Sequence, residues 1–158
     1  MTIDQNAGGL RPQPVRNHVV SEETRHAMPT PQARLVIALP HARLRNAIAA
    51  ALASSGAVSV VGEAGSLTDA VRRTRESKPD GLVLGSGLLR GDVAGDLRRL
   101  IAELPSVEIV VVGTETSAGY AAAIKAAGAA DYVAFDTGTE GVVSAVTRAI
   151  PERRGAAV

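Results

Sequence analysis

From Ala33 onward the chain alternates short apolar runs with segments whose apolar positions recur every three to four residues. The runs are Leu35 to Leu39, Val58 to Gly62, Gly81 to Leu84, Glu108 to Gly113 and Asp131 to Phe135. Each is Val-, Ile- or Leu-rich and too short for a helix, so each is predicted as a strand. Between them, Leu44, Ile48, Ala51 and Leu52 fall on one side of a helix, as do Leu97, Leu100 and Ile101. Ser66 before LTDAV predicts a helix N-cap, and Gly128 a helix stop. Strands alternating with helices predict repeated βα units and a parallel sheet, an α/β layer architecture.

Residues 1 to 32 carry Gly8, Gly9, Pro12, Pro14, Pro29 and Pro31 among polar residues and follow neither period. They are expected to form a disordered N-terminal tail, followed by one domain over residues 33 to 150 and a short C-terminal tail over 151 to 158. Translation starting at Met28 is a further expectation, because MPTPQARLVIA would enter the first strand with little overhang.

The 158 residues are 46% hydrophobic but only 2% aromatic, so Val, Ile, Leu and Ala must fill the core, as suits strands covered on both faces. A net charge of +1 gives no reason to expect binding of the whole chain to nucleic acid backbones. Arg72, Arg73, Arg75, Arg98 and Arg99 fall on polar helix faces and are expected in solvent. The absence of cysteine excludes disulfides, thiolate metal sites and cysteine nucleophiles. With no signal-like start and no long apolar span, the expectation is a cytoplasmic protein without membrane contact.

Four segments in order carry a family resemblance: VVGEA at Val60 to Ala64, KPD at Lys78 to Asp80, LRRLIAELP at Leu97 to Pro105, and KAAGAADYV at Lys125 to Val133. Together they resemble response-regulator receiver (CheY-like) domains, particularly those joined to a helix-turn-helix module, over Leu35 to about Ile150. The resemblance implies a flavodoxin-like, five-stranded parallel sheet of order 2-1-3-4-5 with helices on both faces. Its functional pocket would lie where the carboxyl ends of strands 1 and 3 diverge. In that family, two acidic residues after strand 1 and an aspartate ending strand 3 hold Mg²⁺. A Thr or Ser ends strand 4 and a Lys ends strand 5.

Carried over position by position, the acidic pair falls on Leu39 and Pro40 and the phosphoacceptor on Gly85. The hydroxyl falls on Gly113, or with a slip of one on Thr114, and the Lys on Phe135. Leu88, Leu89 and Val93 take the place of the family's Met-Pro and later Gly. Magnesium needs oxygen ligands and aspartyl phosphorylation needs the carboxylate as nucleophile, so this pattern implies a degenerate, non-phosphorylatable pocket with no metal, cofactor or catalytic residue. His41 reads as a loop residue. Asp92, Asp136 and Ser86 at the pocket edge have no metal or base to activate them.

The leading expectation is a pseudo-receiver acting by protein contact, with another signalling protein or a second copy of itself, through the face of helix 4, strand 5 and helix 5. A receiver-like fold with no identifiable task is the plainer alternative. A reading of another class rests on the loop GSGLLRG, where His41, Gly85, Ser86, Gly87, Arg90 and Gly91, or Arg43, would cradle a small anion or nucleotide before a helix. Direct DNA binding is not expected, because PERRGAAV after the last helix is too short for a helix-turn-helix module.

Overall fold

A computed structural model describes residues 32–150. The two tails, apart from Gln32, and the alternative start at Met28 lie outside them. Gln32 itself is exposed, and its Nε2 donates to Gly56 O at 3.0 Å.

In chain order the elements are β1 (Ala33–Ala38), α1 (Ala42–Ser54), β2 (Val58–Ala64), α2 (Leu67–Ser77), β3 (Gly81–Gly85), α3 (Val93–Glu103), β4 (Glu108–Gly113), α4 (Ala118–Ala126), β5 (Asp131–Ala134) and α5 (Gly138–Ala149). Short 3₁₀ turns follow β3 at Ser86–Leu88 and β5 at Phe135–Thr137. The strands form one parallel sheet of order β2-β1-β3-β4-β5, the order the resemblance implies. Strand bounds differ from the apolar runs by at most two residues, and β4 matches at both ends. Leu39 lies just past β1, and Phe135 opens the 3₁₀ turn instead of ending β5.

Alternate residues of each strand point to opposite faces, and both faces are covered. Leu35, Ile37, Val83, Val110 and Val112 pack with Ile48 and Leu52 of α1 and with Val142 and Val146 of α5. Val36, Leu82, Leu84 and Val111 pack instead with Ala70 of α2, with Leu97 and Leu100 of α3 and with Ile124 of α4. Each fully buried Leu, Ile or Val contributes roughly 1.5–3 kcal/mol of transfer free energy, so aliphatic side chains suffice without aromatic bulk. Close packing extends to the backbone: a Cβ on Gly81 would stand 2.3 Å from Ile150 Cδ1, so the end of α5 requires a glycine at the start of β3. Thr74 is the buried polar residue of this core, and its hydroxyl has no partner among the described residues.

The predicted punctuation acts as expected at Ser66, whose side chain accepts from Asp69 N at 3.2 Å. At the other end of α2, Lys78 adopts φ +50 and its N–H donates to Thr74 O. Asp80 then accepts from Arg34 N at 2.8 Å, so the KPD segment ends α2 and ties β3 to β1. Gly128 follows α4 at φ +119, where its lack of a side chain also leaves room for Ile101, whose Cδ1 would lie 2.7 Å from a Cβ. Arg72, Arg73, Arg75, Arg98 and Arg99 are all exposed. Arg72 bonds Asp69 on its own helix at 3.0 Å, an exposed pair that contributes little.

Tyr132 on β5 is 8% exposed, sits edge-on to Tyr120 of α4 with ring centroids 5.2 Å apart, and donates its hydroxyl to Glu115 O at 2.8 Å. Burial, with Tyr120 as the next cause, pushes the Tyr132 phenol above its ordinary value. A raised folded value means that the neutral form is favoured by folding. This stabilisation is complete below about pH 10, the unfolded phenol value, and is lost as pH rises through the folded one. Urea titrations from pH 8 to 11.5 should therefore show stability falling above about pH 10, and Tyr132→Phe should remove part of that fall.

Candidate functional site

Parallel strands end together, so the loops after β1, β3, β4 and β5 meet at one crest of the sheet. They enclose a cavity of about 160 Å³ lined by Leu39, Pro40, His41, Leu44, Gly85, Ser86, Gly87, Val112, Gly113, Thr114 and Phe135. The cavity collects all six positions expected for the degenerate pocket: Leu39, Pro40, Gly85, Gly113, Thr114 and Phe135. His41, Ser86 and Gly87 join them.

The two glycines are not open gaps. A Cβ on Gly85 would stand 2.6 Å from Leu39 Cδ2 and 3.4 Å from Pro40 Cδ, so the space beside the end of β3 is filled by the loop after β1. Leu39 is 1% exposed, and its N–H donates to Ala64 O at 3.1 Å, which fixes its backbone against the end of β2. A Cβ on Gly113 would stand 2.5 Å from Ser86 Oγ and 2.9 Å from the Tyr132 hydroxyl. Ser86 and Tyr132 thus occupy the room a side chain ending β4 would need. The neighbouring Thr114 is exposed.

Magnesium does not fit this donor set. The polar side chains lining the cavity are the Ser86 and Thr114 hydroxyls and the His41 imidazole, without a carboxylate. Among the described residues, no three His, Cys, Asp or Glu side chains come together anywhere. Asp92 and Asp136, expected at the edge, do not line the cavity. Asp92 occupies the N-cap position of α3 without a capping hydrogen bond from its side chain, and Asp136 is exposed in the turn after β5.

The GSGLLRG loop does not converge as the anion-binding reading requires. Gly85, Ser86 and Gly87 line the cavity, but Arg90 lines an adjoining cleft of about 560 Å³ between α2 and α3, which shares Pro40 and Gly87 with it, and Gly91 lines neither. The cause is the 3₁₀ turn at Ser86–Leu88, after which Leu89 is buried in the core and the chain turns at Gly91 with φ +68. Helix α3 then begins behind Asp92, with Asp96 in its first turn, and these carboxylates favour neither phosphate nor sulfate at its N-terminus. Arg43 is exposed and does not line the cavity.

Two polar supports of the crest were not singled out by the sequence. Arg45 Nη1 donates to Leu39 O at 2.8 Å while its Nε lies 3.3 Å from Glu63 Oε1, so one guanidinium joins the loop after β1 to the end of β2. An arginine one turn into α1 is the signal that could have suggested it, since its reach returns to the loop it follows. The second is the Tyr132 hydroxyl on Glu115 O, which ties β5 to the loop after β4.

No protein-family profile matches the chain. Among curated proteins, it is 34% identical over 103 residues to protein-glutamate methylesterase/protein-glutamine glutaminase 5 of Anaeromyxobacter dehalogenans, covering 64% of this chain. The match spans 28% of that enzyme's length. Among solved structures, the signal receiver domain of the response regulator NarL from Mycobacterium tuberculosis superposes with a TM-score of 0.68 at 23% identity, covering 78% of this chain and 99% of that one. A two-component response regulator of the LuxR family from Aurantimonas sp. SI85-9A1 gives a TM-score of 0.67 at 22% identity, covering 75% of this chain and 85% of that one. Sheet order, helix placement and these superpositions agree: residues 32–150 have the flavodoxin-like fold of response-regulator receiver domains.

Proposed function

We propose that this chain is a receiver-type module of two-component signalling that works by protein contact, with no aspartyl phosphate formed at its crest. The observation that carries this reading is the seating of Leu39 against Gly85: an aliphatic side chain lies 2.6 Å from where a Cβ would stand at the residue that the resemblance assigns to the nucleophilic carboxylate. Phosphoryl transfer would need a metal or cationic group to offset charge and a nucleophile to attack, and the cavity lining supplies no carboxylate, lysine or arginine. The module is therefore read as non-enzymatic. The activity named for the methylesterase relative is carried by a protein of which the match spans 28%.

The partner is another signalling protein or a second copy of the chain, held through α4, β5 and α5. Support for that face is the run of exposed small residues Ala118, Ala122, Ala123 and Ala126 on α4, which lets a partner backbone approach closely. A cytoplasmic location and the absence of direct nucleic acid contact belong to the same reading. No helix among the described residues is long and apolar enough to cross a membrane.

Pull-down from native extract with the full chain, together with sedimentation of the purified protein, tests the contact. The expected result is a reproducible partner or self-association that is unchanged by Mg²⁺ and acetyl phosphate. Finding neither, or contact that appears only with the phosphodonor, would overturn the proposal.

Restoring the acceptor alone should harm the protein. Gly85→Asp forces a side chain into Leu39 and leaves a carboxylate without a cation, at a cost of about 2–4 kcal/mol in urea unfolding. Adding Leu39→Ala should relieve the steric part and not the electrostatic one. A Gly85→Asp protein as stable as the parent would show that Leu39 yields freely.

A further inference from the structure

We infer that the crest cavity is a binding site for a small uncharged molecule, an apolar body the size of a six-membered ring carrying one hydrogen-bonding group. The inference concerns the cavity alone and does not depend on how the protein signals. Three observations lead to it.

The first is size. The cavity holds about 160 Å³, and an apolar cavity of about 150 Å³ is large enough to take up benzene. The second is the wall. Leu39, Leu44, Val112 and Phe135 surround the space, and no lysine, arginine, aspartate or glutamate lines it. An ion entering would lose hydration without gaining a counter-charge, whereas a neutral ring would exchange water for aliphatic and aromatic contact. The third is the polar group left over. Ser86 is half-buried in this wall, and its Oγ makes no hydrogen bond to any described residue. It is held in place by the turn whose Leu89 N–H donates to Ser86 O at 3.0 Å. With the Thr114 hydroxyl and the His41 imidazole at the same wall, this hydroxyl can orient the polar end of such a ligand.

The charged cleft between α2 and α3 differs in kind. Arg90, Asp96, Arg99 and Glu103 line it, so its wall suits charged groups and not a neutral ring.

The test uses the full chain with phenol, benzene and inorganic phosphate as probes, read by methyl chemical shifts. Phenol should saturate shifts at Leu39, Leu44 and Val112 with a Kd of roughly 0.1–1 mM, as suits a ligand of so few atoms. Ser86→Ala should weaken phenol about 3- to 10-fold, the worth of one hydrogen bond, and leave benzene within about twofold. Leu44→Trp, which fills the space from a half-buried position, should abolish both. Absence of saturation by phenol and benzene on folded wild-type protein would overturn the inference. So would phosphate saturating the same methyls, or phenol binding that survives Leu44→Trp.

Discussion

Leu39 Cδ2 lies 2.6 Å from the point a Cβ on residue 85 would occupy, and much of the crest is arranged around that contact. The leucine's backbone is held in place, because its N–H bonds the end of β2 and its carbonyl accepts from Arg45, which also holds Glu63. Moving it would mean opening the junction of β1, β2 and α1. A side chain at residue 85 would have to displace Leu39, which is 1% exposed.

The same principle operates one strand away. Gly113 leaves room for the Ser86 and Tyr132 hydroxyls, and Tyr132 in turn holds the loop after β4 through Glu115 O. Side chains from the turn after β3 and from β5 thus converge on the end of β4. What remains open is a small space without carboxylate, lysine or arginine in its wall, and its chemistry follows from which atoms fill the rest. Beneath it, the two aliphatic cores on either face of the sheet depend on strand alternation and are indifferent to what the loops carry.

The fold was legible because it rests on local patterns. Apolar runs marked five strands, Ser66 and Gly128 marked helix ends, and the sheet order came with the family resemblance, not from periodicity. The positions at the crest were also legible, since strand ends identify themselves: Leu39, Pro40, Gly85, Gly113, Thr114 and Phe135 do share one cavity. What the chain of letters could not convey was how the space between them is filled. The glycine spacing of GSGLLRG suggested a single cradle, but the 3₁₀ turn and the burial of Leu89 send Arg90 to another cleft. Arg45 and Tyr132 act through bonds to residues 6 and 17 positions away, onto backbone carbonyls that carry no sequence signal.

The central claim is that the crest offers neither a grip for a divalent cation nor a nucleophile for phosphorus. The most direct measurement is the intact mass of the protein after incubation with Mg²⁺ and acetyl phosphate, followed by acid and base treatment of any product. The account predicts unmodified protein. A stoichiometric, base-labile phosphoryl adduct that maps to the loops after β1, β3 or β5 would contradict it.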